Sequence, residues 1–252
     1  MEYLVSIIFL YGLTLGSFFN VVGLRVPLKQ SIVAPRSACP NCHHQLTWLE
    51  LIPVLSYVIQ GGKCRQCKTV ISPIYPLVEL VTGLLFVSAP LVLGWISELF
   101  VAWTLISLFM IIFVSDITYM LIPDKILLVF AGIFLLERIL IPLSPWWDSL
   151  LGAAIGFTLL LLIAIVSKGG MGGGDIKLFA VVGFVVGTKV MLLSFFLATL
   201  FGAVFGIIGL LFKFVKRGNP IPFGPFIAAG TLTAYYFYEE IVSSYLQLLA
   251  SF

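Results

Sequence analysis

The chain has 252 residues, of which 61% are hydrophobic and only 10% are charged. Soluble domains carry roughly 25% charged residues, so the composition excludes a soluble globular protein and indicates that lipid is the solvent for most of the surface. The formal net charge of +3 is too small to indicate a nucleic-acid partner.

Eight apolar segments are candidates for membrane-spanning helices, each of which needs about 20 apolar residues. The first segment lacks a basic leader and a small-residue cleavage site, so we expect a retained span. The sixth is short, and its separation from the seventh rests on Gly187, Thr188 and Lys189. Most glycines inside the spans are expected to let helices pack closely. The predicted spans are 3–24, 77–94, 98–115, 125–141, 149–166, 176–188, 190–212 and 223–241.

Lysine and arginine residues set the predicted orientation, because they concentrate in cytoplasmic loops. With both termini outside, only Arg138 and Lys189 lie at the outer side. This orientation places Asp116 and Asp175 on the cytoplasmic side. The basic residues assigned to that side are Arg25, Lys29, Arg36, Lys63, Arg65, Lys68, Lys125, Lys168, Lys177, Lys213, Lys216 and Arg217.

One sizeable polar piece, residues 25–76, interrupts the apolar pattern. About 50 residues are few for an independent hydrophobic core, so such a segment usually needs disulfides or a bound metal to be stable. The predicted fold is an all-α polytopic membrane protein with about eight transmembrane helices. Its predicted parts are a first helix at 1–24, a cytoplasmic segment at 25–76 and a seven-helix domain at 77–252.

Four cysteines lie in the polar segment as two CxxC pairs, Cys39 with Cys42 and Cys64 with Cys67. Two CxxC pairs at this separation indicate a zinc site. Four sulfurs fill the tetrahedral coordination shell and leave no position for a catalytic water, so we predict a structural zinc ion. The alternative is two disulfides or free thiols, against which a cytoplasmic location argues. The adjacent His43 and His44 are expected to be solvated loop residues.

Two aspartates stand at ends of apolar runs. Asp116 closes the run that begins at Leu108, and Asp175 follows a run of glycines. Carboxylates are rare in membrane helices, because charge in lipid is costly. Two aspartates at the same depth in the membrane can share a proton. One then acts as a general base on water, and the other acts as a general acid. That chemistry hydrolyses peptides without a metal or a nucleophilic side chain.

Simpler interpretations of the acids stay open. Asp175 could cap a helix, Asp116 could be an interfacial residue that closes a span, and Asp124 looks mainly like a cap. The glycines favour catalysis, because Gly172, Gly173 and Gly174 permit close approach of an extended peptide.

An ordered set of motifs gives the chain a family resemblance. Gly172-Gly-Gly-Asp175 fits the GxGD motif of intramembrane aspartyl proteases, and the whole chain resembles the type IV prepilin peptidases. The other matching segments are Gly16-Ser-Phe-Phe-Asn-Val21, Arg36-Ser-Ala-Cys-Pro-Asn-Cys42, Cys64-Arg-Gln-Cys67, Ile74-Tyr-Pro-Leu-Val-Glu-Leu80, Asp116-Ile-Thr-Tyr-Met-Leu-Ile-Pro-Asp124 and Pro222-Phe-Gly-Pro-Phe226.

The resemblance implies the substrate and the chemistry. Members cut the basic leader from prepilins or pseudopilins of pilus, competence and type II secretion systems, after a glycine on the cytoplasmic side of the bacterial inner membrane. Many then methylate the new N-terminus with S-adenosylmethionine. The cysteine segment belongs to these bifunctional members, although the sequence shows no nucleotide fingerprint. Asn20, Glu50 and Glu79 are polar candidates for the methyl-donor site, each with a structural alternative.

Two other classes of function compete with this interpretation. A transporter would use paired carboxylates as a proton relay and glycines as a helix break, but its carboxylates would lie at span centres rather than at span ends. A zinc-bearing scaffold without activity would leave the two acids and the glycine run unexplained.

Overall fold

A computed structural model describes residues 2–168, 170–214 and 220–250. Within these ranges the regular structure is helical, with two isolated β-bridges, so the predicted all-α fold class is confirmed. Lys216 and Arg217, used above in the charge pattern, lie outside the described residues, as does Gly169 at the start of the glycine run before Asp175. The helices are α1 (Glu2–Arg25), α2 (Leu55–Ile59), α3 (Ile74–Leu93), α4 (Glu98–Tyr119), α5 (Asp124–Leu140), α6 (Asp148–Val166), α7 (Gly173–Leu211) and α8 (Gly224–Ala250).

Five of the described helices are long and apolar enough to cross a membrane: α1, α3, α4, α6 and α7. α5 and α8 also coincide with predicted spans, and the short α2 lies in the polar segment. The 39 residues of α7 cover two predicted spans. Apart from α2, the described helices therefore coincide with the predicted spans, two of which lie within α7.

Contacts divide the chain into two compact units, Met1–Tyr119 and Met120–Phe252. In the first unit, α1 crosses α3 at glycines. A Cβ atom on Gly12 would lie 2.8 Å from the Cα of Gly83, and one on Gly16 would lie 2.7 Å from the Cα of Glu79. Small residues at such crossings let backbones of membrane helices approach closely. The crossing holds the C-terminal half of α1, with Asn20, beside the start of α3.

The second unit shows the same device between α6 and α7. The backbones of Gly152 and Gly183 touch, and a Cβ atom on Gly156 would lie 2.6 Å from the carbonyl oxygen of Phe179. The predicted packing role is confirmed at these glycines. Gly202 and Gly206 have the spacing of a packing motif, but a methyl group added at either would lie 3.5 Å or 3.9 Å from its nearest neighbour, which is ordinary contact distance.

A break at Gly187 interrupts α7 where the sequence predicts the gap between two spans. Gly187 has φ 77° and ψ 174°, which no helix accommodates and which glycine adopts without strain. The break separates the helical stretches 173–186 and 188–211. Each helical stretch therefore has a terminus at the break, where backbone C=O or N–H groups lack partners within the helix.

Two charged side chains supply those partners. The Arg138 Nε donates to the Val185 carbonyl at 2.7 Å, and the Asp148 carboxylate accepts from the Thr188 N–H at 3.1 Å and from its hydroxyl at 2.7 Å. A cation thus lies at a helix C-terminus and an anion at an N-terminus, as the helix dipole favours. Arg138, predicted at the outer side, is buried at this break.

Candidate active site and metal centre

The four cysteine sulfurs lie within 4.8 Å of one another in the first unit. The Sγ atoms of Cys39 and Cys67 are 3.7 Å apart, and those of Cys42 and Cys64 are 3.9 Å apart. A disulfide needs about 2.05 Å, so these sulfurs are not bonded to each other. Zinc–sulfur bonds of about 2.3 Å give a tetrahedral edge of about 3.8 Å, so the sulfurs fit one tetrahedral metal ion.

Two matching turns bring the sulfurs together. The Cys39 N–H donates to the His44 carbonyl at 2.9 Å, and the Cys64 N–H donates to the Thr69 carbonyl at the same distance. The residue after each second cysteine is in the left-handed region, with φ 56° at His43 and φ 60° at Lys68. Each CxxC pair therefore forms the same knuckle, and both knuckles present two sulfurs to one centre.

Backbone and hydroxyl donors favour thiolates at two of the cysteines. The Thr69 hydroxyl and N–H lower the pKa of Cys67 to about 5, and the N–H groups of Cys42 and Asn41 hold the pKa of Cys39 below its usual value. The His44 N–H opposes the change at Cys42, but burial and the neighbouring sulfurs raise the pKa of that thiol to about 11. Four sulfurs this close need a cation between them to be charged together.

His44 is tied to a carboxylate, which corrects the expectation that it is a solvated loop residue. Its Nε2 lies 3.2 Å from Oε2 of the buried Glu50. The same Glu50 oxygen accepts from the Thr47 N–H at 2.9 Å and the Thr47 hydroxyl at 2.8 Å. The first of these bonds is the largest cause that holds the pKa of Glu50 below its usual range. The metal knuckle is thereby linked to a buried acid.

Asp116 lies in the first unit and is 6% exposed. The apolar run ends at Asp116, but α4 continues to Tyr119, so Asp116 lies about one turn before the C-terminus of the helix. Gly23 of α1 packs against α4 close to this point, where a Cβ atom would lie 2.7 Å from that of Val114. The helix therefore holds the carboxyl group on a rigid and mostly buried turn.

Asp175 lies in the second unit, in the first turn of α7, and is partly buried. The helix is capped by Gly172 without a side-chain bond, so Asp175 is not the cap that a simpler interpretation proposes. A Cβ atom on Gly172 would lie 3.1 Å from the Asp175 Oδ2, and one on Gly174 would lie 2.8 Å from the Cβ of Ile122. These glycines leave room for the carboxylate and let the loop before α5 approach it.

Asp124 forms an ion pair across this loop rather than a helix cap. α5 is capped by Pro123, and both oxygens of the Asp124 carboxylate lie 2.8 Å from the Lys177 Nζ. The pair joins the starts of α5 and α7, which begin at the end of the first motif and within the second. The sequence analysis did not identify this ion pair. The available signal was that an acidic residue, Asp124, and a basic residue, Lys177, each lie at the end of a motif.

Comparisons with known proteins identify the family. Residues 10–93 match the bacterial peptidase A24 N-terminal domain, and residues 103–207 match the type IV leader peptidase family. The chain is 47% identical to a prepilin leader peptidase/N-methyltransferase of Bacillus subtilis over 97% of this chain and 99% of that protein.

Proteins of the same name in Aeromonas salmonicida and Pseudomonas aeruginosa are each 34% identical. The alignments cover 97% and 94% of this chain, and 94% and 92% of those proteins. No solved structure matches the chain. Identity at this level over nearly the full length, together with the apolar helices, shows that this multi-pass membrane protein is an enzyme and belongs to the type IV leader peptidase family.

Proposed function

We propose that the enzyme removes the basic leader from type IV prepilins or pseudopilins after a glycine, and then N-methylates the new N-terminal residue. The observation that carries this proposal is the full-length similarity to proteins named prepilin leader peptidase/N-methyltransferase. The substrates and both reactions come from those names. The residues that perform them are inferred from the site.

Asp116 and Asp175 are the proposed catalytic pair. One carboxylate takes a proton from water, and the resulting hydroxide attacks the scissile carbonyl. The other, protonated, donates a hydrogen bond to the carbonyl oxygen and then delivers its proton to the leaving amine. In support, each lies within about one turn of a helix end. Gly172, Gly173 and Gly174 form the proposed supporting loop.

The proposed cytoplasmic location rests on the charge pattern of the loops. In that orientation both termini are outside and the catalytic face is on the inner side of the bacterial cytoplasmic membrane. The substrate helix would then lie in the bilayer with its leader in the cytoplasm. The basic residue Lys177 is two positions from Asp175 and is paired to Asp124, so it stays beside the proposed site.

We infer that the metal held by Cys39, Cys42, Cys64 and Cys67 is a structural zinc ion. Their sulfur spacing fits the tetrahedral geometry, and four thiolates leave no position for a catalytic water. The zinc segment, residues 25–76, is the proposed region for substrate docking and methyl transfer, after the first helix at 1–24. Residues 77–252 are the proposed peptidase domain, and this range includes Asp116 and Asp175.

S-adenosylmethionine is the proposed methyl donor, and when bound it supplies an electrophilic methyl group to the new N-terminal amine. The chain must hold that amine unprotonated and close to the donor. Mass spectrometry tests the whole proposal. A prepilin-like peptide incubated with purified enzyme and donor should yield a product cut after the glycine and carrying one methyl group. A product cut elsewhere would contradict the assignment.

A glycine substitution tests how the proposed loop works. In Gly174→Ala, the added methyl group would lie 2.8 Å from the Cβ of Ile122, so the start of α7 and the loop that holds Ile122 must move apart. A displacement of ~1 Å at catalytic groups can cost ~10²-fold in rate, so we expect leader cleavage to fall by about that factor. The rate is measured on a prepilin peptide.

Gly206→Ala is the matched control for this substitution. It adds the same methyl group to the same helix, where the nearest atom would lie 3.9 Å away. Its cleavage rate should stay near that of the unmodified enzyme. Equal losses in both variants would show that the effect is general destabilisation of α7.

A further inference from the structure

The first unit encloses a cavity of about 260 Å³ that the proposed peptidase mechanism does not use. It lies among α1, the zinc segment and the start of α3, and its walls are mostly apolar. Small-molecule sites are usually apolar cavities of about 300 Å³ or more with a few convergent polar groups. This cavity is slightly smaller than that range, and its polar groups include Asn20, Arg25, Glu50, Tyr57, Gln60 and Glu79.

Two of these side chains have a buried oxygen without a partner. Asn20 is 2% exposed, and its amide nitrogen donates to the Tyr75 carbonyl at 3.1 Å. Its Oδ1 atom has no hydrogen-bond partner among the described residues, and neither has the Oε1 of Glu50. Leaving a buried acceptor unsatisfied is costly, more so when it is charged. Both residues line the cavity, and a ligand that donates hydrogen bonds would satisfy these oxygens.

Glu79 adds a second carboxylate to the same walls. It is 8% exposed, and its Oε2 accepts from the Val54 N–H at 2.7 Å. Val54 has φ 61°, a conformation that a β-branched residue rarely adopts, so the loop is bent to make this contact. The bond fixes the Glu79 side chain at the cavity, where Gly16 lets α1 and α3 approach most closely.

The balance of charge selects the kind of ligand. Among the described residues that line the cavity, the carboxylates are Glu50 and Glu79, and the basic residue is Arg25. One guanidinium nitrogen of Arg25 donates to the Ser31 carbonyl at 3.1 Å. Two buried carboxylates and an amide oxygen favour a cation with N–H donors, and a single arginine can bind a carboxylate on the same molecule.

We propose that this cavity binds S-adenosylmethionine through its methionine end. This inference rests on the proposed N-methyltransferase activity and names its binding site. The ammonium and sulfonium groups would lie against Glu50, Glu79 and Asn20, and the carboxylate would lie toward Arg25. The adenosine would extend out of the cavity, since the cavity is too small to surround the whole molecule.

The position of the cavity also explains why a metal segment accompanies methyl transfer. Cys39 and Cys64 line the cavity, and His44, two residues after Cys42, is bound to Glu50. The knuckles therefore hold one of the proposed ligand carboxylates in place. A metal-free segment would lose this carboxylate from the site.

Calorimetric binding of S-adenosylmethionine to the full-length zinc-loaded enzyme in lipid nanodiscs tests the proposal. Glu79→Gln keeps the volume and one acceptor oxygen but removes the charge, as does Glu50→Gln. We expect each variant to bind the donor about 10- to 100-fold more weakly, because a hydrogen bond to a charged group is lost. Glu98→Gln, outside the cavity lining, should bind like the unmodified enzyme. Zinc content and the thermal unfolding temperature show whether each variant is folded.

A second titration distinguishes the donor from the other cation of the reaction, the N-terminal ammonium of a cut pilin. A peptide with a free N-terminal phenylalanine is titrated without donor, and its affinity should not change in the variants. Loss of peptide affinity with full donor affinity would overturn the proposal. So would unchanged donor affinity in both folded variants. If the unmodified enzyme neither binds the donor nor methylates the peptide, the proposed methyltransferase function fails as well.

Discussion

Asp116→Asn and Asp175→Asn will each abolish leader cleavage while leaving the protein inserted in the membrane. The amide cannot take a proton from water or deliver one to the leaving amine, and general acid–base catalysis contributes about 10²–10⁴-fold. We therefore expect a loss of ~10²–10⁴-fold for either change. The cleavage rate is measured on a prepilin peptide, with membrane fractionation to show insertion.

Asp124→Asn is the matched control, because it removes a carboxylate from the same region. The Asp124 and Lys177 side chains are 68% and 53% exposed, and exposed ion pairs contribute only about 0–1 kcal/mol. The control should therefore cleave nearly normally. Substantial cleavage by Asp175→Asn would refute the mechanism, whatever the control shows.

Loss of a metal ligand should separate the two proposed activities. Cys64→Ser should lower the zinc content from about one ion per chain to none, because three thiolates hold structural zinc far less tightly and its binding is coupled to folding of the segment. Methylation should be nearly lost, since Glu50 is held by the knuckle through His44. Leader cleavage should fall less, because Asp116 and Asp175 lie on other elements.

Arg65→Ser provides the control for this prediction. Arg65 is exposed in the same knuckle and is not a ligand, so this variant should keep its zinc and its methylation. Both activities are assayed on one peptide, and methylation also on a peptide that has already been cut. Loss of cleavage with intact methylation of the cut peptide would reverse the assignment of the two regions.

The features that the sequence predicts are local ones, which depend on residues close together in the chain. Each CxxC knuckle is a local turn, and each helix is an apolar run, so both are visible without the structure. The break at Gly187 is also predicted, because a glycine, a threonine and a lysine interrupt an apolar run. The proposed role of Asp175 rests on the adjacent glycines in the same way.

The features that sequence does not predict depend on distant residues. Arg138 reaches the Val185 carbonyl across 47 positions, and Asn20 reaches the Tyr75 carbonyl across 55. The distribution of basic residues places Arg138 at the outer surface. That distribution carries no information about the break in α7, where the structure buries this side chain. Likewise, the sequence offers Glu50 and Glu79 only as candidates for the methyl-donor site, and the structure shows that both line one cavity.

The break in α7 has a consequence for the lipid around the second unit. The stretch 173–186 is about 21 Å long and the 17-residue α5 about 25 Å, whereas the hydrocarbon core of a bilayer is about 30 Å thick. Helices shorter than the core are accommodated by thinning of the bilayer, at a modest cost for each ångström of mismatch. The acyl-chain length of the surrounding lipid therefore influences how stably the helix that carries Asp175 is held.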